Sequence, residues 1–266
     1  MPSRAARLPC LLALMLGLVA ITANAADVSV RDLTQQLYRS DPSAPIDISY
    51  QDLRNLDLSG LDFKGAKLQG SNLFGADLRG ADLSNADLRD ARLDRVIIIG
   101  ARFDAANLAG ASLLRPSAFS SMSAPRTEAV SFVGADLHGA RIFARLNGAN
   151  LSKANLSGAT FAPFGRTGFI EHIWRTELLG ANMSEADLAG ADLTHALLAF
   201  ADLRGAKLND AVLKKADLSR ADLTGADLTG ADLSEADLDG AILVGVRGLD
   251  TVHGLASALN VEKMVR

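Results

Sequence analysis

The sequence predicts an all-β solenoid, because three observations agree on a chain that coils around a narrow apolar interior. Large apolar residues recur at every fifth position in 34 units between Leu53 and Leu243, and 27 of them are leucine. Alanine stands two positions earlier in 27 of the units. The residue between the two is usually Asp, Asn, Lys or Arg. A helix would require a period of about 3.6 residues and a strand a period of 2, so this pattern matches neither.

Each five-residue unit is interpreted as one short side followed by one corner. Residues two apart on an extended segment point the same way, so the alanine and the leucine point inward and the polar residue between them points outward. The next two residues must turn the chain, and Gly, Asn and Asp suit that turn because they tolerate positive φ. Ordering one unit costs about as much as its leucine contributes, so stability requires the stacking of many coils.

Tandem units such as ADLTG, which occurs twice in Ala221–Gly230, resemble the pentapeptide-repeat family over residues 51–245. The resemblance implies a right-handed quadrilateral β-helix with four pentapeptides in each coil. Thirty-four units would then form about eight and a half coils, stacked at a strand spacing of about 4.8 Å.

Residues 1–25 are predicted to be a secretory signal peptide. Arg4 and Arg7 precede an apolar run, Leu8–Ile21, and Ala23-Asn24-Ala25 is a typical cleavage site. The alternative is a membrane anchor, but the run is short for a span, which requires about 20 residues. The predicted location is therefore periplasmic or secreted, with no integral membrane span after cleavage.

The composition of the mature chain argues against two classes of function. Cys10 is the sole cysteine and lies in the signal peptide, so a mature cysteine nucleophile or disulfide is not expected. Cleavage removes two arginines, which leaves 25 basic residues against 31 acidic ones and a net charge of −6. This acidity argues against binding to nucleic acid through bulk charge.

Caps are predicted at both ends of the solenoid, since open ends need cover. Residues 26–50 form the predicted N-terminal cap, with a helix over 29–39 that begins at the capping-box-like Ser29–Asp32. Residues 246–266 form the predicted C-terminal cap, with a helix over about 250–262 that is indicated by the helical spacing of apolar residues from Val252 to Leu259. The alternative for this second helix is a homodimer contact.

Two insertions interrupt the period, at 114–131 and 162–176, and one residue is missing between Ile142 and Leu146. If the insertions replace no side and Leu53 defines side one, Phe132 falls on side two and Leu146 and Leu178 fall on side one. Both insertions are then predicted to flank side one. Outward apolar residues gather near this cover or near the C-terminal cap: Ile97, Ile99, Leu179, Leu197, Phe200, Ile242 and Val244.

The insertions and the coils between them predict a candidate groove for an anionic or aromatic ligand or for a partner, because guanidinium groups bind carboxylates and phosphates in a bidentate way. The alternative is that the insertions are apolar lids whose arginines keep their heads in solvent. The groove residues are Arg115, Arg141, Arg145, Arg166, His172, Trp174 and Arg175.

No catalytic, metal or cofactor site is predicted. The four histidines, His138, His172, His195 and His253, are scattered and form no metal-binding motif. The many aspartates occur because the repeat places Asp on its outer surface, so a solvated ladder is favoured over acid–base catalysis.

Three functions remain open. The first is a non-enzymatic periplasmic scaffold or interaction module with an unknown protein partner. The second is a ligand-binding or enzymatic site built by the two insertions on one face. The third is a DNA mimic that protects a topoisomerase, as the resemblance to quinolone-resistance members of the family implies. The signal peptide and the basic residues among the aspartates oppose this third hypothesis.

Overall fold

The computed structural model describes residues 29–41, 43–63, 65–118, 128–162 and 175–266, so the predicted signal peptide lies outside the described residues. Regular elements are few. Those that lie wholly within the described residues are one helix, α1 (Val30–Arg39), two three-residue strands, β1 (Ser112–Leu114) and β2 (Arg141–Phe143), and two 3₁₀ helices, Leu255–Ser257 and Val261–Lys263.

The coil has four sides. Outward residues form parallel β-bridges at a spacing of 20 residues, as in Asp52↔Asn72 and Asp57↔Asp77, which equals four pentapeptides. We name the faces by the bridged positions in the first coils: face one begins at Asp52, face two at Asp57, face three at Asp62 and face four at Asp47. The predicted four-sided coil is therefore present, whereas the right-handed winding stays a prediction.

The interior is the continuous apolar column that the repeat predicts. Inward alanines and leucines are almost fully buried from Leu53 to Leu243, and Leu218 and Leu238 are each no more than 1% exposed. Each buried leucine contributes about 1.5–3 kcal/mol. The second corner residue takes positive φ throughout, at glycines such as Gly60 (64°) and also at larger residues such as Phe200 (61°).

The outward Asp or Asn closes the corner that follows it. The backbone N–H two residues later donates to its Oδ1, as from Thr224 to Asp222 at 2.9 Å and from Ser184 to Asn182 at 3.1 Å. This contact satisfies a corner N–H that the bridges do not use, which explains why the motif prefers Asp and Asn at this position. The aspartates remain on the outer surface, as predicted.

The predicted placement of the two insertions is wrong by one side. Ser117 bridges Ile97 on face two, so the first insertion itself contains one side, with Ala118 as its inward residue. Phe132 consequently lies on face three, where Ser131 bridges Arg102, and Glu177 and its neighbour Leu178 lie on face two. The count failed because Ala118 is small, and the prediction had counted large inward residues alone.

Both insertions therefore flank face two rather than side one. The first leaves the coil after Ala118, at the corner between faces two and three. The second leaves after Ala162 and returns at Arg175, at the corner between faces one and two. Ile97 lies on face two as predicted, and Leu197 also lies there, because it bridges Glu177.

The N-terminal helix forms where the capping signal predicts it. Ser29 is the N-cap of α1, and its Oγ accepts a hydrogen bond from the N–H of Asp32 at 3.1 Å. Leu33 and Leu37 are buried in the apolar core, at 0% and 3% exposure, so the helix covers the first open coil.

The predicted C-terminal helix over about 250–262 is wrong. Residues 246–266 form one more coil whose sides are six residues long, with outward bridges at Arg247, His253, Leu259 and Val265. The two 3₁₀ helices, Leu255–Ser257 and Val261–Lys263, are corners of this coil. The backbone of the last pentapeptide coil pairs with the segment and keeps it extended. A homodimer through a C-terminal helix therefore lacks its predicted element.

Candidate functional site

Face two carries the break in the solenoid. Its bridges run from Asp57 through Ile97 to Ser117 and resume only with Arg145↔Glu177. The bridges of the other three faces continue across this level among the residues that the structure describes. On the adjoining face, β1 and β2 pair in parallel, with Leu113 opposite Ile142. A gap thus opens in one wall of an otherwise regular coil, between the two insertions.

One edge of this gap is the corner between faces one and two. Arg115 follows β1 with φ of 55°, and its N–H donates to the carbonyl oxygen of Phe143 at 2.7 Å, which fixes the two corners on successive coils. The chain returns from the second insertion at this same corner. There the buried Thr176 donates from Oγ1 to the carbonyl oxygen of Phe161 at 2.7 Å, and this anchor sets the position of Arg175.

The boundary of the gap on the C-terminal side of the solenoid is a charged network. Arg145 Nε lies 2.8 Å from Oε1 of Glu177, and Nδ2 of Asn147 donates to the other carboxylate oxygen, Oε2, at 2.9 Å. Oδ1 of Asn147 in turn accepts a hydrogen bond from the N–H of Leu179 at 2.9 Å. Both oxygens of the carboxylate therefore have a donor, and this network holds Arg145 in place.

These residues enclose a pocket with a volume of about 320 Å³, which lies at the small end of the range for ligand sites. Among the residues that the structure describes, the lining contains three guanidinium groups and no carboxylate, so this part of the pocket carries positive charge in a chain of net negative charge. The remaining lining is small and largely apolar. The lining residues are Arg115, Pro116, Ser117, Ala118, Phe143, Ala144, Arg145 and Arg175.

The Nε atom of Arg175 is buried and has no hydrogen-bond partner among the residues that the structure describes. Buried polar atoms of folded proteins almost always have a partner, and an unsatisfied one costs about 1–3 kcal/mol, with more for a charged group. This donor is the strongest chemical signal in the pocket. Arg175 lines the pocket, and an acceptor that reached its Nε from there would remove that cost.

The sequence-predicted groove is brought together in part. Arg115, Arg145 and Arg175 line the pocket. Arg141 lies on face one, where it bridges Ser112 and Thr160, and it is not part of the lining. The predicted groove residues Arg166, His172 and Trp174 lie outside the described residues.

Sequence reasoning missed the other members of the site, of which three matter most. Ala118 and Phe143 line the pocket, and Glu177 holds Arg145 in place. The signal for Glu177 was present, because it is an acidic residue in an outward slot directly after the second insertion. Phe143 gave a weaker signal, as the single residue left in a corner from which one position is deleted.

A second feature of face two is an exposed apolar patch next to the pocket. We call Leu179, Leu197 and Phe200 the face-two patch. Leu197 bridges Glu177, and the N–H of Gly180 donates to the carbonyl oxygen of Ala199 at 3.0 Å, so the three side chains lie on adjacent coils. Phe200 is 58% exposed and Leu179 is 37% exposed. The guanidinium of Arg220 lies 5.6 Å from the centre of the Phe200 ring.

Two further features are absent from the residues that the structure describes. In the parts of the chain that the structure describes, no cluster of His, Cys, Asp and Glu could hold a metal ion. No helix in those same parts is both long and apolar enough to cross a membrane.

Comparison with known proteins identifies the repeat. The family model for Pentapeptide repeats matches the chain in eight copies, and the matched segments cover more than half of its length. They are residues 47–80, 71–110, 128–162, 176–214 and 206–245. No curated protein matches the chain.

Solved structures give related matches. HetL of Nostoc sp. strain PCC 7120, a protein involved in the regulation of heterocyst differentiation, is 29% identical with a TM-score of 0.50, over 90% of this chain and 99% of its own. Rfr23 of Cyanothece 51142 is 31% identical over 46% of this chain and 90% of its own, with a TM-score of 0.29. A trypsin-treated form of QnrB1, a plasmid-mediated fluoroquinolone resistance protein, is 20% identical over 76% of this chain and 89% of its own, with a TM-score of 0.37.

Proposed function

The chain belongs to the pentapeptide-repeat family, and we propose that it is a non-enzymatic interaction module of the periplasm that binds a protein partner through face two. The face-two patch is the observation that carries this proposal. Soluble proteins rarely leave neighbouring large apolar side chains exposed unless a partner covers them, and here the exposed Leu179 and Phe200 lie beside the half-buried Leu197. The insertions that flank the same face extend the surface available to a partner.

The backbone under the patch supports a role in recognition. Phe200 occupies the left-handed region, with φ of 61°, at a corner position where this chain most often has glycine. A bulky residue in that region is strained, and strain of this kind concentrates at functional sites. Phe200 is 58% exposed and its one ring contact given by the structure among the described residues is with Arg220, so most of the ring is available as an anchor for a partner.

The similarity to HetL agrees with an interaction role. It extends over 90% of this chain, and HetL is involved in the regulation of a differentiation process. A regulatory protein acts by binding, and the flat faces of a solenoid offer a broad surface for it. The predicted signal peptide, with Arg4, Arg7 and the Ala23–Ala25 cleavage site, is the support for a periplasmic location.

The DNA-mimic hypothesis is less favoured because many aspartates of the faces are paired with basic side chains. Nε of Arg79 donates to Oδ1 of Asp77 at 3.0 Å on face two. Nε of Arg204 donates to Oδ1 of Asp202 at 2.8 Å, and Nζ of Lys207 lies 3.1 Å from Asp187. A mimic of the DNA backbone needs uncompensated rows of negative charge.

Photocrosslinking in the living host tests the interaction surface. Phe200 is replaced by p-benzoylphenylalanine, the cells are irradiated, and adducts of the protein are isolated and identified by mass spectrometry. We expect one discrete protein adduct in the periplasmic fraction, with the N-terminus of the mature chain at Ala26. The adduct is expected to disappear when Leu197→Asp is added, because a charge in the patch opposes burial.

Tyr50 provides a matched control position for the same probe. It is an aromatic corner residue with φ of 58° and 73% exposure, but it lies at the corner after face four. The proposal is contradicted if position 50 yields the same adduct as position 200, or if position 200 yields none. Recovery of the mature protein from the cytosol would contradict the periplasmic location.

A further inference from the structure

We propose that the pocket on face two binds a small organic anion, with a carboxylate or phosphate head against Arg175 and an apolar body against Phe143. The inference goes beyond the proposed protein interaction, since the pocket and the face-two patch are different surfaces of the same face. It starts from the Nε of Arg175, which is buried and has no partner among the described residues. The N–H of a guanidinium can only donate, so the atom that completes this site must be an acceptor.

The charge of the pocket selects an anionic acceptor. Arg115, Arg145 and Arg175 all contribute to the lining, and none of the other described lining residues is acidic. Arg115 and Arg145 have interactions of their own, so the argument depends on Arg175 for the unsatisfied donor and on all three for the positive charge. The carboxylate of Glu177 binds Arg145 and Asn147 through its two oxygens, and it makes no hydrogen bond to Nε of Arg175.

Guanidinium groups favour oxyanions over other acceptors. Their planar donor edge matches the two oxygens of a carboxylate or phosphate, and the charge shortens and strengthens the hydrogen bonds. A metal cation is disfavoured as the occupant, because three positive charges would repel it and the described lining residues offer no carboxylate or imidazole ligand.

The remaining wall defines the body of the ligand. Pro116, Ala118, Phe143 and Ala144 are the apolar part of the lining, and Phe143 is half-buried, so one part of its ring remains accessible. A volume of about 320 Å³ accommodates a body of the size of one aromatic ring together with its anionic head. A purely inorganic anion would leave this apolar wall without a contact.

The gap results from a missing side-to-side pairing in the coil and is not only a depression between surface side chains. A regular side at this level would place an inward leucine and a bridge between Ser117 and Arg145, whereas the chain has Ala118 and no bridge there. Pro116 occupies the slot two residues before Ala118, and it lacks the N–H that closes the preceding corner in regular units, as from Ala76 to the carbonyl oxygen of Leu73. The sequence thus keeps this level open.

Titration of three ring compounds against the purified protein tests the inference, with binding measured by calorimetry and by ligand-observed NMR. Benzoate supplies a carboxylate head, phenyl phosphate supplies a phosphate head, and benzyl alcohol is the uncharged match with the same ring. We expect at least one of the two anions to bind with a Kd below about 10 mM, and to bind at least about tenfold more tightly than benzyl alcohol. Whichever anion binds more tightly identifies the head group.

Two variants locate the binding. Arg175→Gln removes the charge and the buried Nε donor, and it is expected to weaken anion binding at least about tenfold. Ala118→Leu restores the leucine of a regular side and fills the pocket, so it is expected to abolish binding of the anion without touching an arginine. The two substitutions would disrupt folding for different reasons. Urea unfolding of each purified variant shows whether it is folded.

Arg247→Gln is the matched control. Arg247 lies on face four in the last coil, its side chain is 69% exposed, and it does not line the pocket, so binding is expected to remain within about twofold of the original. The inference is overturned if neither anion binds below about 10 mM. It is also overturned if binding survives in a folded Ala118→Leu protein or falls equally in Arg247→Gln. These outcomes leave the proposed protein partner untouched, because that proposal is tested at Phe200.

Discussion

The ring of Phe132 stacks on the ring of Phe103, with centroids 5.0 Å apart and planes 11° apart. Both side chains are fully buried on face three, on coils that the first insertion separates along the chain. The stack shows that the coil resumes in register after the insertion, with a complete set of four sides between the two rings. The insertion is therefore an excursion at one corner, and the interior column continues past it.

Replacement of Phe132 by leucine tests the contribution of this stack. Leucine suits the inward slot, so the loss is expected to come mainly from the aromatic pair, which contributes about 0.5–1.5 kcal/mol beyond its buried area. Phe161→Leu is the control, because Phe161 is equally buried but has no stacked aromatic partner among the described residues. We expect Phe132→Leu to lower the free energy of unfolding in urea by about that much more than Phe161→Leu. Equal losses would show that the stack adds no stability.

The corner contact of the outward aspartate predicts a difference between two substitutions at Asp232. Its Oδ1 accepts a hydrogen bond from the N–H of Ser234 at 2.8 Å. Asp232→Asn keeps an acceptor at this position and is expected to be nearly neutral. Asp232→Ala leaves the N–H unsatisfied and is expected to lower the free energy of unfolding by about 1 kcal/mol. If asparagine costs as much as alanine, charge rather than the corner contact is the stabilising factor.

The stability of the protein is expected to fall at acid pH because several outward carboxyls have lowered pKa values in the folded state. The hydrogen bond from the Arg204 side chain lowers the pKa of Asp202 below its usual value of 3.8, and Arg79 does the same for Asp77. A carboxyl whose pKa is lowered by folding adds stability above its unfolded-state pKa and loses that contribution as pH falls through the folded-state pKa. Unfolding free energies measured in urea should therefore be level near neutral pH and decline below about pH 4.

The variant Arg204→Gln identifies the source of this acid sensitivity. It removes the group that most lowers the pKa of Asp202, so the decline below about pH 4 is expected to become shallower. The substitution Arg247→Gln serves as the comparison, since Arg247 is not the main cause of the lowered pKa of Asp227, which is the hydrogen bond from Thr229. A steeper decline in Arg204→Gln would contradict the assignment.

The last coil depends on glycines that allow close approach of two backbones. A Cβ atom at Gly254 would lie 2.6 Å from Cα of Ser234, and the residue has φ of +72°. Gly245 has a similar φ of +65°, but its Cβ would meet nothing within 4 Å. Gly245→Ala is therefore expected to cost about 1–2 kcal/mol from the left-handed backbone alone. Gly254→Ala is expected to cost more, because the backbone of Ser234 cannot move aside.

Hydrogen exchange of the backbone amides in the last coil measures this difference in stability locally. The N–H groups of His253 and Leu259 donate to the preceding coil, so their exchange is expected to accelerate in Gly254→Ala while Leu218, deep in the rod, is unaffected. The same exchange rates in both glycine variants would show that the last coil tolerates a Cβ at Gly254.

The repeat in the sequence was sufficient to predict the coil, because each unit contains all the residues that define its side and its corner. The inward alanine and leucine, the outward Asp or Asn and the turning pair lie within five residues, and every unit meets neighbours of the same kind. The four-sided count came from the family resemblance, and the bridges such as Asp52↔Asn72 confirm it. The N-terminal helix was equally local, since Ser29 caps it and Leu33 and Leu37 share one face.

The two errors of prediction arose where the local pattern is ambiguous. Ala118 fills an inward slot, but a single alanine next to Pro116 does not differ in sequence from a loop residue. In the last coil the half-buried apolar residues recur every third position: Val246, Leu249, Val252, Leu255, Ala258, Val261 and Met264. Part of that series also fits the spacing of a helix, and the sequence alone offered no means to choose between them.

The sequence by itself determined the period, the apolar interior, the polar exterior, the N-terminal cap and the arginines from which a groove could be built. The tertiary structure decided which face those arginines share, since Arg115, Arg145 and Arg175 meet only because Ala118 completes a side inside the insertion. It also decided the form of the C-terminus, where the unpaired backbone edge of the preceding coil holds residues 246–266 extended. Both features depend on backbone pairing between distant segments, and the spacing of side chains along the chain does not specify that pairing.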